Sequence, residues 1–275
     1  MLNIFKQIPK WNTINTPNFS IKVPGSCNCS CDFCFWNKTD HFQTSKELYF
    51  NKLKYILGKL PEQFSQISLT GGEPSISPYI KNILDIIDKN RWKKLVLTTN
   101  GTNINSIDKT LLKKVDFINI SRHHTDDKIN EKIYNSDTVP NTEKLYTIIE
   151  NLNKIGIEVT LNCVLQEDID IKSFISYTKR INASNICFRK VHSKNSNLDP
   201  TEQELNIQNE GYEKTSEFSC PVCVTTAYII NGMKINFKSS IPEPSDSMSN
   251  EIYETIFHED GVLTADWKRN IEIEV

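Results

Sequence analysis

The stretch "SCNCSCDFCFW" places Cys27, Cys29, Cys31 and Cys34 within eight positions. A second pair, Cys220 and Cys223, forms "CPVC", and Cys163 and Cys187 stand alone. Thiolates are nucleophiles and soft metal ligands, and clustering of this kind points to metal rather than to a disulfide framework. A structural zinc site usually takes a second ligand pair from elsewhere in the chain, which "CPVC" could supply. An iron–sulfur cluster held by three thiolates of one short loop leaves one iron without a protein ligand, and a substrate can bind there. Both chemistries remain open on the thiols alone.

The elements around these residues follow a repeated pattern. Short β-branched runs, "SIKVP" from Ser20, "QISLT" from Gln66, "KLVLTT" from Lys94, "DFINI" from Asp116, "IEVTLNCV" from Ile157 and "NICFRKV" from Asn185, alternate with helical patterns. Thr44-x-x-Glu47 forms a capping box ahead of Leu48, Leu53, Ile56, Leu57 and Leu60. Ser77-Pro78 reads as an N-cap and first-turn proline before Ile80, Ile83, Leu84 and Ile87. Leu145, Ile148, Ile149, Leu152 and Ile155 recur at helical spacing and Gly156 follows as a stop, while a further helix covers Ile171 to Ile181. Such alternation implies parallel strands joined by crossover helices. A partial (β/α)6 TIM-like barrel is expected, with a doubly wound sheet as the alternative. In either fold, functional loops leave the C-terminal ends of the strands. The Cys cluster, "GGEP", "NGT" and "SRHH" all fall there.

The spacing Cys27-x3-Cys31-x2-Cys34, with Phe33 before the last cysteine, resembles the radical S-adenosylmethionine (SAM) superfamily. So does Gly71-Gly72-Glu73-Pro74 after the second strand, and the resemblance covers Phe19 to Val191. It implies that Cys27, Cys31 and Cys34 hold a [4Fe-4S] cluster whose open iron chelates SAM. An electron from the cluster then yields a 5′-deoxyadenosyl radical that takes hydrogen from a substrate. Cys29 falls outside the spacing and is expected not to be a ligand. The resemblance places a backbone group of Phe33 at the adenine, and Gly71, Gly72 and Glu73 at the SAM amino group. Asn100 falls on the rim, Ser121 at the methionine or ribose part, and Asn162 at the ribose. Arg189 meets the SAM carboxylate or a substrate anion. Each has a plainer reading, as a turn, a satisfied core polar group or a salt bridge. Cys163 and Cys187 read as core residues, and His123 and His124 lie near the site.

After about Ser193 the pattern changes to a polar stretch, followed by "CPVCVTTAYIINGMKINFKSS" with Asn231-Gly232 as a two-residue hairpin turn. The expected division is an N-terminal extension over 1–18, a core barrel over 19–192, and a linker with a C-terminal hairpin over 193–275. The hairpin resembles the branch of the molybdenum-cofactor GTP 3′,8-cyclase and the SPASM/twitch enzymes. In that cyclase a third cysteine completes a second cluster, whereas Phe237 stands at its place here, and the cyclase's closing glycine pair is replaced by "NIEIEV". Cys220 and Cys223 are therefore read as a metal-free remnant, with a second metal site as the alternative.

Bulk composition sets outer limits. Hydrophobic content is 38%, charged content 24% and net charge -2, which suits a globular core and singles out neither nucleic acid nor an anionic membrane as partner. No apolar run is long enough for a membrane helix, and "MLNIFKQIPKW" lacks the apolar stretch of a secretory signal, so a cytoplasmic location is expected. The leading expectation is an enzyme acting on a small molecule, nucleotide or peptide, reduced by a donor such as flavodoxin or ferredoxin. A zinc-binding scaffold, or a protein that uses SAM without radical chemistry, is the alternative.

Overall fold

Among the described residues, eight strands run parallel and side by side within an eleven-stranded sheet. The structure is a computed structural model that describes residues 13–165, 169–190, 200–220, 223–240 and 252–274. In chain order the elements are β1 (Thr13–Val23), α1 (Lys46–Leu57), β2 (Gln66–Gly71), α2 (Ile80–Ile86), β3 (Lys94–Thr99) and α3 (Lys109–Leu112). Next come β4 (Phe117–Ser121), α4 (Asp127–Tyr134), α5 (Thr142–Asn153), β5 (Glu158–Val164), α6 (Ile171–Arg180), β6 (Asn185–Arg189) and α7 (Pro200–Asn209). The chain then forms β7 (Lys214–Cys220), β8 (Cys223–Ile230), β9 (Met233–Ser240), β10 (Ile252–Phe257) and β11 (Leu263–Thr264).

The two faces of the sheet differ sharply. Ile67, Leu69, Leu95, Leu97, Ile118, Ile120, Val159, Leu161, Ile186 and Phe188 pack into one core with Leu53, Ile83, Leu145, Ile149 and Phe174 from the helices. Residues at the alternate positions, among them Ser20, Ser68, Thr98, Asn119, Thr160 and Asn185, therefore line the opposite face. One apolar face covered by helices and one polar face is the arrangement of an open barrel wall; a doubly wound sheet would be covered by helices on both faces. The sheet ends at β11 and β7, where the outer pairings are antiparallel.

Helix ends follow their local chemistry, with two corrections. Ser45, not Thr44, caps α1 by accepting from Leu48 N, and Leu48 rather than Glu47 takes the third helical position, so the expected Thr44–Glu47 capping box does not form. Ser77 is not the N-cap of α2 and Pro78 is not in its first turn, because the helix begins at Ile80 behind Tyr79. Ser77 Oγ instead accepts from Tyr79 N in the preceding turn and donates to the Pro24 carbonyl, which ties this turn to the end of β1. Asn141, Asp126 and Asp170 cap α5, α4 and α6. Gly156 adopts φ +83° just past α5, where a side chain would be strained.

The C-terminal segment joins the barrel more closely than an appended hairpin would. Asn231 and Gly232 adopt φ 52° and 80°, which gives the two-residue turn between β8 and β9. Strand β9 pairs parallel to β6, and β10 pairs parallel to β1, so the sheet runs across the 192/193 boundary on both sides.

Candidate cluster and cofactor site

The loop that leaves β1 carries the cysteines and is braced from three directions. Ser30 N donates to Tyr134 O at 3.0 Å, at the end of α4. Asn28 Nδ2 donates to Thr102 Oγ1 at 2.9 Å and to Thr138 Oγ1 at 2.6 Å. Asn100 Nδ2 donates to Asn28 Oδ1 at 2.9 Å and to Cys29 Sγ at 3.4 Å, while its Oδ1 accepts from Thr102 N and Oγ1. A carboxamide has two donors and two acceptor sites, so Asn100 is fully engaged by protein. It is a brace between loops rather than an open rim group.

Cys27, Cys29, Cys31 and Cys34 are free thiols that pack with Phe33, Tyr134 and Val139 into a small apolar cluster apart from the main core. Cys27 and Cys34 are half-buried, whereas Cys29 and Cys31 are buried. A hydrogen bond from Cys29 holds the Cys27 thiol at about 7, below the ordinary 9.0. The same contact, with burial, drives the Cys29 thiol far up. Burial and the charges of Cys34 and Cys27 push Cys31 up to about 12. Cys29 is thus the neighbour with the largest lowering influence on Cys27.

The "GGEP" turn meets this loop backbone to backbone. Gly71 has φ +147°, and a Cβ there would lie 2.8 Å from Val23 O. A Cβ on Gly72 would lie 2.7 Å from Ser26 O, and Glu73 N donates to that same oxygen at 3.1 Å. Glu73 is 3% exposed. Its carboxylate accepts from Ser75 N at 2.8 Å, from Thr99 Oγ1, and from Asn100 N at 2.5 Å. Burial raises its pKa, and the bonds from Asn100, Thr99 and Ser75 oppose that rise. Glu73 therefore fastens the ends of β2 and β3 together.

Across the barrel mouth, Ser121, Asn162, Cys187 and Asn236 are register neighbours on β4, β5, β6 and β9. One step further toward the strand ends, Val164, Arg189 and Lys238 are register neighbours on β5, β6 and β9. Strand alternation puts both rows on the polar face. Cys163 and Cys187 fall on opposite faces, and Cys163 belongs to the main core as expected.

His123 is more deeply placed than the sequence suggested. It is 3% exposed, meets Phe33 edge-on at 5.1 Å and Tyr134 at 4.9 Å, and accepts from Val164 N through Nδ1. Desolvation, with the charge of Arg122, lowers its pKa to about 3, so the ring is neutral and carries its proton on Nε2. Arg122, unremarked in the sequence, is buried and donates to the carbonyls of His124, Pro140 and Thr125 and to Asp127 Oδ1. An arginine inside "SRHH" was the available signal; nothing in the spacing assigned it a partner.

Residues 21–180 match the family model of the Radical SAM superfamily, more than half of the chain. The chain belongs to the radical SAM superfamily. It is similar to a GTP 3′,8-cyclase of Aliarcobacter butzleri (strain RM4018), with 29% identity over 168 residues, 56% of this chain and 48% of that protein. It is also similar to an S-adenosylmethionine-dependent nucleotide dehydratase of Flammeovirga pacifica, 24% identical over 61% of this chain and 60% of that protein. The chain spans about half the length of the first curated relatives it matches. In fold it resembles Streptococcus suis SuiB bound to S-adenosylmethionine, with a TM-score of 0.65 and 16% identity over 93% of this chain and 61% of SuiB.

Radical SAM membership implies a [4Fe-4S] cluster and SAM. The residues present fit both. Three free thiols share one braced loop beside an apolar wall, and glycines let the "GGEP" backbone approach where a Cβ would collide. Among the described residues, no three His, Cys, Asp or Glu side chains converge on a single ion. A multi-iron cluster does not require that, because each thiolate binds a different iron. The side chains of Cys220 and Cys223 lie outside the described residues, and so does the question of a second metal there. Phe237, the residue expected at the place of the cyclase's third cysteine, is buried and stacks on Phe188 at 5.5 Å.

Proposed function

We propose that this protein is a radical SAM enzyme that cleaves SAM reductively and abstracts hydrogen from a small-molecule, nucleotide or peptide substrate. The observation that carries this reading is the close seating of the Gly71-Gly72 backbone against the loop bearing Cys27, Cys31 and Cys34. Those three thiols would hold the cluster. When bound there, a [4Fe-4S] cluster supplies an open iron for the amino and carboxylate groups of SAM and one electron for its sulfonium C–S bond.

The chain's own residues bind and shield. Gly71 and Gly72 let the "GGEP" backbone seat against the cysteine loop, where that backbone would receive the SAM amino group, and the backbone at Phe33 serves the adenine. Ser121 and Asn162, neighbours on the polar face, serve the methionine and ribose parts. Glu73 and Asn100 act through position, since their polar atoms brace the loops. Phe33, Tyr134 and Val139 keep water from one side of the thiols. Neutral His123 offers Nε2–H as a donor that stays uncharged at neutral pH. Reduction by a flavodoxin or ferredoxin and a cytoplasmic location belong to the same proposal. Among the described residues, no helix is long and apolar enough to cross a membrane.

The test is anaerobic reconstitution with iron and sulfide, reduction with dithionite, and measurement of 5′-deoxyadenosine. Release from the wild type and loss of both iron and release in Cys27→Ala are expected. A fully loaded protein that leaves SAM intact, or one that purifies anaerobically with zinc and no iron, would overturn the reading.

A further inference from the structure

Two cations stand side by side in the barrel mouth without a described counter-charge. Arg189 on β6 and Lys238 on β9 are register neighbours on hydrogen-bonded parallel strands, so their backbones lie about 4.8 Å apart. Their direction is fixed by the residues before them. Phe188 and Phe237 stack at 5.5 Å and 24° within the core, which turns Arg189 and Lys238 to the polar face. Among the described residues, neither side chain has a hydrogen bond or an ion pair. Both are half-buried. Their charges reach the neighbouring Cys187 thiol, whose pKa burial raises and both cations pull back.

Like charges directly opposite one another on a sheet destabilise it. Such a pair at a half-buried position, without an ion-pair partner among the described residues, is a cost that a bound anion relieves. Beside it lie the polar positions Asn162 and Asn236. Strand β6 is four strands along from β2, where the "GGEP" turn begins, and β9 is five. The cation pair thus faces the turn expected to receive the SAM amino group from the far side of the mouth. That placement favours the second of the two roles considered for Arg189, the substrate anion.

We propose that Arg189 and Lys238 form an oxyanion-binding subsite that holds a phosphate or carboxylate group of the substrate. The inference deepens the reading of the barrel mouth as an active site and rests on it for the word substrate. It gives the hairpin a function independent of any second cluster, because β9 supplies Lys238.

Pyrophosphate and tricarballylate, titrated separately into the full-length protein by calorimetry at low salt, test the subsite without loaded cluster or SAM. Binding of at least one is expected, weakened tenfold or more in Lys238→Gln and in Arg189→Gln, and restored by Lys238→Arg. Lys234→Gln, at an exposed position on the same strand face, should bind as the wild type does. Tighter pyrophosphate binding assigns a phosphorylated substrate, and tighter tricarballylate binding a carboxylate. No binding of either at millimolar concentration, or equal weakening by Lys234→Gln, overturns the proposal. Thermal melts of each variant separate lost binding from lost folding. 5′-Deoxyadenosine release by the reconstituted wild type reports separately on the radical SAM reading: release without anion binding sinks only the subsite, and anion binding without release sinks only the enzyme assignment.

Discussion

Gly72 has no spare space on the side facing the cysteine loop, and the consequence is specific. A methyl group would sit 2.7 Å from Ser26 O, a backbone atom fixed in turn by Glu73 N. Gly72→Ala should therefore cost about 1–3 kcal/mol in urea unfolding and lower the iron bound per chain after reconstitution. Unchanged stability and unchanged iron together would show that the loop yields freely. Cys29 makes a different prediction. Its hydrogen bond is the largest influence holding Cys27 near 7. In apo Cys29→Ala, the pH midpoint of Cys27 alkylation should rise toward the ordinary thiol value, while reconstituted protein keeps its iron and most 5′-deoxyadenosine release. Loss of iron in this variant would make Cys29 a ligand.

At the scale of elements, strands β1 to β6 were legible because each is a short β-branched run bounded by turn residues, and their helices carry 3.6-residue periodicity. Strand β10 was not: its reason to exist is parallel pairing with β1, more than two hundred positions away in sequence, and that pairing leaves no local signal. Helix α7 was hidden in a polar stretch, since its visible anchors are the buried Ile207 and the bond from Tyr228 OH to Glu204 at 2.6 Å. The hairpin was legible from Asn231-Gly232, but its docking on β6 was not. At the site, residue types in "GGEP" and "TTNGT" stood out, whereas the bracing duties of Glu73 and Asn100 depend on partners brought together only by the fold. The docking of β9 can be tested through Phe237, which packs on Phe188 and Tyr228. Phe237→Ala should cost about 3–5 kcal/mol and speed hydrogen exchange at β6 and β9 amides above those of β2. Equal exchange at both places would mean that β9 is not held by this contact.

At the scale of the whole molecule, two deeply buried neutral histidines among the described residues contribute to the pH response of its stability. His123 lies behind the cluster loop, while His258 follows β10 and is fully buried. His258 shares a 2.8 Å hydrogen bond with Thr264 Oγ1, whose own proton goes to Asp266 O, so Nε2 of the histidine is the donor. Desolvation, aided by Arg269 and Lys22, lowers its pKa to about 3, and His123 is lowered as far. Unfolding returns both to an ordinary value of about 6.5. Between these limits the unfolded chain binds protons that the folded chain refuses, so stability rises with pH across the window and is lost as pH falls through it. Each histidine contributes a slope that approaches about 1.4 kcal/mol per pH unit. Glu73 acts in the opposite sense, because burial raises its carboxyl, but it does so equally in wild type and variant and cancels in their difference. His258→Gln retains a donor for Thr264 and cannot titrate. Urea midpoints from pH 7 down to pH 5 should therefore fall less steeply in this variant than in the wild type. Parallel profiles would mean that His258 takes up its proton inside the folded chain.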